Sequence, residues 1–460
     1  MAKRIIGTTP RQDGYRMPAE FEPQQGVWML WPERNDNWRD GGKPAQKTFA
    51  DVAKAIAKFE KVTVGASVRQ YQNARAKLPE NIRVVELESD DAWVRDCGPT
   101  FLVNDKGGLR AVDWEFNAWG GLVDGLYFPW DKDDQIARKI CEIADVDSYR
   151  TEGFVLEGGS IHVDGEGTVL TTEMCLLSEG RNPDKSKEEI EQMICDYLGC
   201  EKVLWIKDGI DPDETNGHID DVACFIAPGE VACIWTEDKN HPFYEQAQAA
   251  YRFLSEATDA KGRKLKVHKL CLTKKPCLLE GADTIDAVEG TIPREDGEVS
   301  IASYMNFLIV NGAVILPQYG DENDAVAIEQ VQKMFPDREV VGVQTKEVAF
   351  GGGNIHCITQ QACGEEVKKS AVRAINVRAA FLWCLCSLLA GDADEFGEHA
   401  PRIRAAQVSK ADGIGRLGAE RENMQVRELL GRERCVQQIF RAEACADALL
   451  AEREQRFDVF

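Results

Sequence analysis

Reactive side chains stand at comparable places in four distant segments of this sequence. They are Asp96 after WVR, Glu157 before a glycine pair, His218 and Asp220 after NG, and Cys357 after GGGNIH. A cysteine thiolate is a strong nucleophile, and an imidazole could donate or accept the protons. Several carboxylates around a thiol would raise its pKa and repel an oxyanion, which disfavours attack on an ester or amide. The set suits a substrate that is cationic at the reacting carbon, such as a guanidinium, which carboxylates bind well.

Each of these residues also has a plain structural explanation. A single cysteine is most often a small buried hydrophobic residue, and Glu157 could simply belong to a loop. His218 could be a core imidazole and Asp220 a turn or cap residue, while Asp96 could form an ion pair with its neighbour Arg95. The agreement among separate segments, which place compatible groups at equivalent positions, favours one shared site over these separate explanations.

A repeated hairpin pattern would position the reactive residues. Pairs of β-rich runs flank a turn signal in four segments, 93–116, 158–173, 216–237 and 304–320. A helical pattern and then a short β-rich run follow each pair, with the helices predicted at about 132–146, 184–199, 243–258 and 321–336. The fourth hairpin offers only Tyr304, Met305 and Asn306 at the equivalent position, and we assign it no catalytic role.

The remaining pieces of the pattern lie near the two ends of the repeated region. They are GGGNIHCITQ at 351–360 and GVWMLWP at 26–32, the latter followed by a predicted helix at about 45–59 and the strand KVTVGAS. If the late strand pairs with the early one, they form a fifth unit and close a ring, which hides the strand edges. Equivalent strand ends in a ring point at one axis, so the reactive groups would converge there.

The motifs resemble those of one family. WVRDCGPT, EGGSIHVDGEG, ETNGHIDD and FGGGNIHCITQQ, together with MPAEFEPQQGVWMLWP, are similar to the agmatine deiminases of the guanidino-group-modifying superfamily. The resemblance covers roughly residues 10–361 and implies an α/β fold, a pseudo-symmetric five-bladed propeller of ββαβ-type repeats. A catalytic domain is therefore predicted over 1–361, and 362–460 is predicted to be an atypical C-terminal extension, either helical or disordered.

The resemblance also implies a role for each reactive residue. Asp96, Asp220 and Glu157 would hold the nitrogens of the guanidinium. Cys357 would attack its central carbon, and His218 would protonate the departing ammonia. His218 would then activate a water molecule to hydrolyse the covalent thiouronium, which releases N-carbamoylputrescine when the substrate is agmatine.

Three further residues are candidates for binding the rest of such a substrate. Trp93 and Trp119 could pack on its aliphatic chain, although each is equally well explained as a core aromatic. Agmatine ends in an ammonium group alone, whereas arginine carries a carboxylate beside its ammonium group. The acidic loop DPDETNGH would attract the ammonium and repel the carboxylate, so it favours agmatine. Glu214 of that loop is the candidate amine partner, with an exposed loop carboxylate as the alternative. His162 and His356 are predicted to lie on the strands of these units and to be structural.

Composition limits the other functions of the chain. The net charge of −23 disfavours nucleic acid or an anionic membrane as a partner. No apolar run approaches the roughly 20 residues of a membrane span, and the N-terminus lacks a secretory signal, so a cytoplasmic location is predicted. The fifteen cysteines show neither C-x-x-C nor H-E-x-x-H spacing. Reduced thiols, no metal site and no cofactor are therefore expected.

Other functions remain open from the sequence. The same chemistry is used by arginine or peptidyl-arginine deiminases and by amidinotransferases. A propeller can also be a non-enzymatic binding scaffold in which Cys357 is merely packed. The expected partners are a small cationic substrate and water, and related enzymes suggest a homo-oligomer.

Overall fold

The structure is a computed structural model that describes residues 2–210 and 214–364. These residues belong to one compact unit. The C-terminal extension predicted over 362–460 lies outside the described residues from residue 365 onward. No helix in the described part of the chain is long and apolar enough to cross a membrane.

Strands and helices alternate along the described residues. The strands are β1 (Arg4–Ile5), β2 (Gln24–Leu30), β3 (Val62–Ala66), β4 (Arg83–Glu86), β5 (Thr100–Val103), β6 (Leu109–Glu115), β7 (Asp147–Val155), β8 (His162–Val163), β9 (Thr168–Thr172), β10 (Lys202–Ile206), β11 (Ala223–Ala227), β12 (Glu230–Trp235), β13 (Lys266–Cys271), β14 (Cys277–Leu278), β15 (Val299–Ser300), β16 (Leu308–Val310), β17 (Ala313–Gln318), β18 (Glu339–Gln344) and β19 (Gln360–Cys363). The helices are α1 (Lys43–Ile56), α2 (Tyr71–Lys77), α3 (Val94–Cys97), α4 (Gly121–Asp124), α5 (Ile136–Ala144), α6 (Glu173–Leu176), α7 (Lys187–Leu198), α8 (Tyr244–Glu256), α9 (Asp324–Met334) and α10 (Lys346–Ala349).

The four predicted hairpins are confirmed, and each belongs to a mixed sheet. The hairpins β5–β6, β8–β9, β11–β12 and β16–β17 are antiparallel. The second strand of each pairs in parallel with the strand that follows a helix, namely β7, β10, β13 and β18. A parallel neighbour requires a crossover connection, and the amphipathic helices α5, α7, α8 and α9 provide it.

The predicted pairing of the late strand with the early one is also confirmed. β19 pairs antiparallel with β2, with Gln360 opposite Trp28, and β2 pairs in parallel with β3 after the crossover of α1. This sheet has the same plan as the other four, but its first strand comes from residues more than 300 positions later in the chain.

The prediction was wrong about the length of the late strand. The strand begins only at Gln360, and the residues before it form a compact turn, with the Ile358 N–H bonded to the Asn354 carbonyl at 3.2 Å. Gly352 has a φ of +103°, which glycine adopts readily, so the glycine run supports a turn. Cys357 and His356 therefore lie in a turn just before the strand, and the prediction that His356 lies on it was wrong.

Local sequence signals explain where the helices begin and end. α7 begins with a capping box, in which the Ser186 side chain accepts from the Glu189 N–H and Glu189 bonds the Ser186 N–H in return. It ends at Gly199, whose φ of +64° lies in the left-handed region. Buried apolar residues form three clusters. Burial of these side chains holds the helices against the sheets.

Candidate active site

Short helical turns ahead of the hairpin strands carry the reactive residues. Asp96 lies in α3, Glu157 precedes the 3-10 turn Gly158–Ser160, and His218 precedes the 3-10 turn Ile219–Asp221, which holds Asp220. Three separate units thus present their residues at the same structural position, just before the first strand of a hairpin.

Gly159 marks the point at which these units meet. A Cβ atom built there would lie 2.5 Å from His218 Nδ1, 2.9 Å from Asp96 Oδ1 and 3.2 Å from Asp220 Oδ2. Only a residue without a side chain fits between the imidazole and the two carboxylates. The structure therefore brings together groups that are more than 120 positions apart in the sequence.

The sulfur of Cys357 lies next to this group of side chains. It lies 3.8 Å from Asp220 Oδ2, and the amide nitrogen of Asn306 approaches it to 3.2 Å. Burial raises the pKa of the Cys357 thiol well above its usual value, and the nearby charges of Asp220, Asp221 and Asp96 raise it further. In the empty site the thiol is therefore neutral at physiological pH.

Two carboxylates flank the imidazole of His218. Nδ1 lies 3.8 Å from Asp96 Oδ1, and Nε2 lies 3.7 Å from Glu157 Oε2. Burial favours the neutral ring, but the charge of Asp96 and the nearby Cys175 and Glu157 side chains outweigh it and raise the pKa of His218 well above its usual value. The ring is consequently an imidazolium that can donate a proton.

Asp96 and Glu157 differ in their environments. Burial raises the pKa of Asp96 to about 6, while the charge of His218 counteracts that rise. Glu157 is fully buried and is paired with Arg181 at 2.8 Å. Although burial acts against ionisation, the Arg181 guanidinium and His218 lower the pKa of Glu157 to about 2. Glu157 is thus permanently charged, whereas Asp96 titrates close to neutral pH.

Asp220 has one oxygen in use and one free. Its Oδ2 atom lies 2.8 Å from His356 Nδ1, whereas Oδ1 is buried and has no hydrogen-bond partner among the described residues. A buried carboxylate oxygen without a donor is costly, which is the condition expected of an atom that receives a ligand. Burial opposes ionisation, but the bond from His356 lowers the pKa of Asp220.

A pocket leads from the surface to Cys357. It encloses about 550 Å³ including its open mouth, and its wall includes Trp93, Trp119 and Glu214. The indole N–H of Trp119 donates to Asp96 Oδ2 at 2.9 Å, and that of Trp93 donates to Asp91 Oδ2 at 2.9 Å. All the substrate-contact candidates from the sequence therefore line the same pocket.

The structure changes how some of these candidates are understood. Asp96 accepts from the Gly159 N–H and from Trp119, and Arg95 bonds the His356 carbonyl and Gln361 instead of forming the ion pair with Asp96 that we had considered. The carboxylate of Glu214 is bonded to Arg294 at 2.7 Å. A substrate amine would therefore have to share Glu214 with that guanidinium.

Sequence reasoning missed several residues of the site. Asn306 contacts the sulfur of Cys357, Arg181 pairs with Glu157, and Cys175 lies 4.0 Å from Glu157. Asn306 stands at the equivalent position of the fourth hairpin, so position alone could have indicated it. Arg181 and Cys175 follow the second hairpin, and no spacing signal relates them to the site.

Three groups of possible metal ligands occur among the described residues, and the hydrogen bonds of one group disfavour a metal ion there. Among the described residues, Glu20, His162 and His356 form one cluster, and two others consist of residues of the candidate site. In the first cluster His162 Nδ1 accepts the Phe225 N–H at 3.2 Å, so the proton of a neutral ring is on Nε2, facing Glu20. A nitrogen that carries a proton is not available to a metal ion.

The described cysteines are free thiols. None of the eleven cysteines in residues 2–210 and 214–364 forms a disulfide. Ten of these eleven are buried, so a buried thiol does not by itself distinguish Cys357. Cys357 is distinguished by its place in the pocket, because it is the one cysteine among the described lining residues.

Comparison with known proteins agrees with the motifs. The model of the Porphyromonas-type peptidyl-arginine deiminase family matches residues 16–362. Agmatine deiminase of Pseudomonas aeruginosa is 58% identical over 361 residues, which cover 77% of this chain and 97% of the relative. The chain belongs to the agmatine deiminases of this family. The fold class expected from the resemblance, a mixed α/β fold like that of agmatine deiminases, is confirmed at that level.

Solved structures of agmatine deiminases have the same fold. The structure described as agmatine deiminase of Enterococcus faecalis catalysing its reaction is 69% identical, with a TM-score of 0.78, and the match covers 79% of this chain and all of that one. A cysteine-to-serine variant of the C. jejuni agmatine deiminase with substrate bound is 26% identical, with a TM-score of 0.65, and the match covers 76% and 97% of the two chains.

Proposed function

We propose that this chain is an agmatine deiminase that hydrolyses the guanidinium of agmatine to N-carbamoylputrescine and ammonia. It would thus be a hydrolase of carbon–nitrogen bonds in linear amidines. The observation that carries the proposal is the convergence of a thiol, an imidazolium and buried carboxylates at one point of a pocket. The names of its relatives support the choice of agmatine as the substrate.

Substrate binding would activate the nucleophile. A guanidinium beside Cys357 would bring a positive charge to a thiol whose pKa is raised by burial and by the carboxylate of Asp220. The free Oδ1 of Asp220 would accept one of its N–H groups, and Asp96 and Glu157 would provide further negative charge. Each charge-assisted hydrogen bond is worth roughly 1.5 to 3 kcal/mol.

The covalent steps then follow from the positions of the sulfur and the imidazole. As the guanidinium binds, the Cys357 thiol loses its proton to solvent in the pocket. The resulting thiolate forms a bond to the guanidinium carbon, and the bond from that carbon to a terminal nitrogen breaks. His218 gives its proton to that nitrogen, which leaves as ammonia, and a thiouronium remains on the sulfur. His218, now neutral, takes a proton from water, and the oxygen attacks the carbon. The carbon–sulfur bond then breaks, the proton left on that oxygen passes to the Cys357 sulfur, and the ureido product is released.

The charges of the pocket favour agmatine over arginine. Its two lining guanidinium groups are both paired with carboxylates, Arg34 with Asp36 at 2.8 Å and Arg294 with Glu214 at 2.7 Å. No unpaired cation among the described lining residues awaits the α-carboxylate that arginine carries. Glu214 is the proposed partner of the agmatine ammonium, and Trp93 and Trp119 the proposed contacts of its aliphatic chain.

A parallel assay of three substrates tests this proposal. Formation of ureido product should be at least about 100-fold more efficient with agmatine than with arginine or a blocked arginyl peptide, because polar groups left unpaired in a binding site are costly. A preference for arginine or the peptide would instead assign the chain to the arginine or peptidyl-arginine deiminases. No turnover of any of the three would favour a binding scaffold, and transfer of the amidino group to an added amine would indicate an amidinotransferase.

Two cysteine variants test the nucleophile. Cys357→Ser should lower kcat by about 1000-fold or more while the midpoint of unfolding stays close to that of the wild type. Cys271→Ser is the matched control, since Cys271 is a partly buried thiol on β13 and should be dispensable. Wild-type turnover by Cys357→Ser would exclude the proposed mechanism.

We also propose the finer architecture that the family resemblance implies. The five sheets that share one plan would be the five blades of an α/β propeller around the pocket. The β19–β2 pair would complete the blade that contains both ends of the repeated region. The homo-oligomer suggested by related enzymes remains a prediction, which the molar mass of the purified protein by light scattering would test.

A further inference from the structure

A line of buried hydrogen bonds joins Asp220 to two residues that do not line the pocket. Asp220 Oδ2 is 2.8 Å from His356 Nδ1, and His356 Nε2 is 2.8 Å from Glu20 Oε2. The three residues are 2%, 3% and 4% exposed, respectively. Glu20 is 336 positions away from His356 and lies outside the repeated hairpins, so only the fold reveals the line.

The positions of the protons in this line follow from its partners. Both ring nitrogens of His356 face carboxylate oxygens, which accept hydrogen bonds when they are ionised. Each nitrogen therefore carries a proton, and the ring is an imidazolium between two carboxylates. Burial and the nearby Arg95 favour the neutral ring, yet Glu20 and Asp220 raise the pKa of His356. Burial opposes ionisation of Glu20, but His356 lowers the pKa of Glu20 to about 2.

The other groups around His356 are a guanidinium, an amide and a neutral imidazole. The guanidinium of Arg95 bonds the His356 carbonyl, and the amide oxygen of Asn306 accepts the His356 N–H. The ring of His162 lies 6.2 Å away, and burial lowers the pKa of His162 to about 4, so this second ring is neutral. The surroundings thus contain two carboxylates, one imidazolium and one guanidinium, and the buried charges balance.

We propose that His356 and Glu20 are positioning residues for the reaction. They hold Asp220 as an ionised carboxylate, with Oδ2 bound by the imidazolium and Oδ1 left for the guanidinium of the substrate. This inference rests on the proposed function, and it corrects our expectation that His356 is only structural. Without the positive charge of His356, burial would favour a protonated Asp220, which would lose its attraction for a cationic substrate.

Matched glutamine variants of two histidines test the proposal. His356→Gln should lower kcat/KM for agmatine about 10- to 100-fold, the loss expected for one charge-assisted hydrogen bond. In the wild type Asp96, with a pKa of about 6, sets the acid limb of the pH profile of kcat/KM. In His356→Gln this limb should move to higher pH, because burial without the positive charge of His356 raises the pKa of Asp220 above that of Asp96. His162→Gln removes a neutral ring that also faces Glu20, and its acid limb should coincide with that of the wild type.

A second variant covers the case in which His356→Gln fails to fold. Glu20→Gln removes the other carboxylate of the line and should move the acid limb in the same direction by a smaller amount. An acid limb that stays in place in a folded His356→Gln or Glu20→Gln protein would overturn the proposal, because it would show that these residues do not control the ionisation of Asp220.

A measurement without substrate separates this proposal from the proposed function. In wild-type protein labelled with ¹⁵N-histidine, both ring nitrogens of His356 should remain protonated above the ordinary histidine pKa of about 6.5. His356→Gln identifies the signal. A neutral His356 ring there would overturn the proposal even in an active enzyme, whereas an imidazolium without agmatine turnover would refute only the function.

Discussion

At the scale of single residues, negative charge surrounds the candidate nucleophile. Burial and the carboxylate of Asp220, 3.8 Å away, raise the pKa of the Cys357 thiol. Such an arrangement would be poor for most nucleophilic cysteines, which are activated by a permanent positive neighbour. Here the positive charge would come with the substrate, so a molecule without a cationic centre would leave the thiol neutral. Activation and selectivity would then have the same physical origin.

The amide of Asn306 provides a test of this balance. Its nitrogen lies 3.2 Å from the Cys357 sulfur, and its oxygen accepts the N–H of His356 at 2.9 Å. Asn306→Asp keeps the acceptor but adds a negative charge beside the sulfur. The pH at which iodoacetamide labels Cys357 should rise by about one unit or more, and kcat/KM should fall. Asn323→Asp, on the loop before α9, should change neither, and unaltered labelling in Asn306→Asp would contradict this account.

The titration of Asp96 predicts the acid limb of the wild-type enzyme. Burial raises the pKa of Asp96 to about 6 although His218 counteracts that rise. As the pH falls through this value, the carboxylate takes up a proton and no longer attracts the guanidinium. The kcat/KM for agmatine should therefore decline below about pH 6. Asp96→Asn should be at least about 100-fold less active and should lack this limb.

A second carboxyl with the same pKa serves as the control. Burial raises the pKa of Asp113 to about 6, but Asp113 pairs with Arg150 at 3.0 Å and does not line the pocket. Asp113→Asn should retain the acid limb. If the limb disappeared in Asp113→Asn and persisted in Asp96→Asn, the assignment to Asp96 would be wrong.

The residues of the site differ in how far the sequence could predict them. Asp96, Asp220 and Cys357 share a place in the repeat and have chemistry of their own, so position and residue type agree. Asn306 has the position but is neutral, and its role depends on a 3.2 Å contact that no spacing rule contains. Glu20 has neither signal, because it reaches His356 only through the closure of the chain.

At the scale of elements, hairpins and helices were predictable but short turns were not. The strand Lys202–Ile206 is the short β-rich run predicted after the second hairpin and its helix, and α1 at Lys43–Ile56 lies close to the prediction of about 45–59. The turns Val94–Cys97 and Ile219–Asp221 are too short for any periodicity to appear. These turns are the elements that aim the reactive side chains, so the site is less predictable than its scaffold.

The packing of the turn at Gly159 can be tested directly. A methyl group at Gly159→Ala would lie 2.5 Å from His218 Nδ1 and 2.9 Å from Asp96 Oδ1. The imidazole and the carboxylate would be pushed apart, so kcat should fall about 100-fold or more. Overpacking should also lower the free energy of unfolding by about 1 to 3 kcal/mol, measured by denaturant titration.

A glycine far from the pocket separates these two effects. In Gly342→Ala on β18, the new methyl group would meet the flexible Gln318 side chain at 3.0 Å. This variant should lose some stability but keep its kcat. Equal losses of kcat in the two variants would mean that Gly159 acts through stability alone.

At the scale of the whole molecule, the closing strand joins the site to the fold. β19 pairs with β2 and begins three residues after Cys357, so this pairing fixes the turn that carries the nucleophile. The same closure lets Glu20, just before β2, reach His356. The stability of the sheet formed by β19, β2, β3 and β4 and the geometry of the site therefore depend on the same strand pair.

The closing strand gives a prediction for shortened chains. A chain that ends after residue 364 retains β19, and the matched relative from P. aeruginosa is covered to 97% of its length by 77% of this chain. The chain shortened to residue 364 should keep the agmatine turnover of the 460-residue chain.

A chain that ends at residue 359 lacks the partner of β2 and leaves an open sheet edge beside the Cys357 turn. It should have a lower unfolding midpoint and little activity, because the position of the sulfur is no longer fixed. Loss of turnover in the chain ending at 364 would instead mean that residues 365–460 contribute to catalysis, and full activity in the shorter chain would mean that the closing strand does not hold the nucleophile in place.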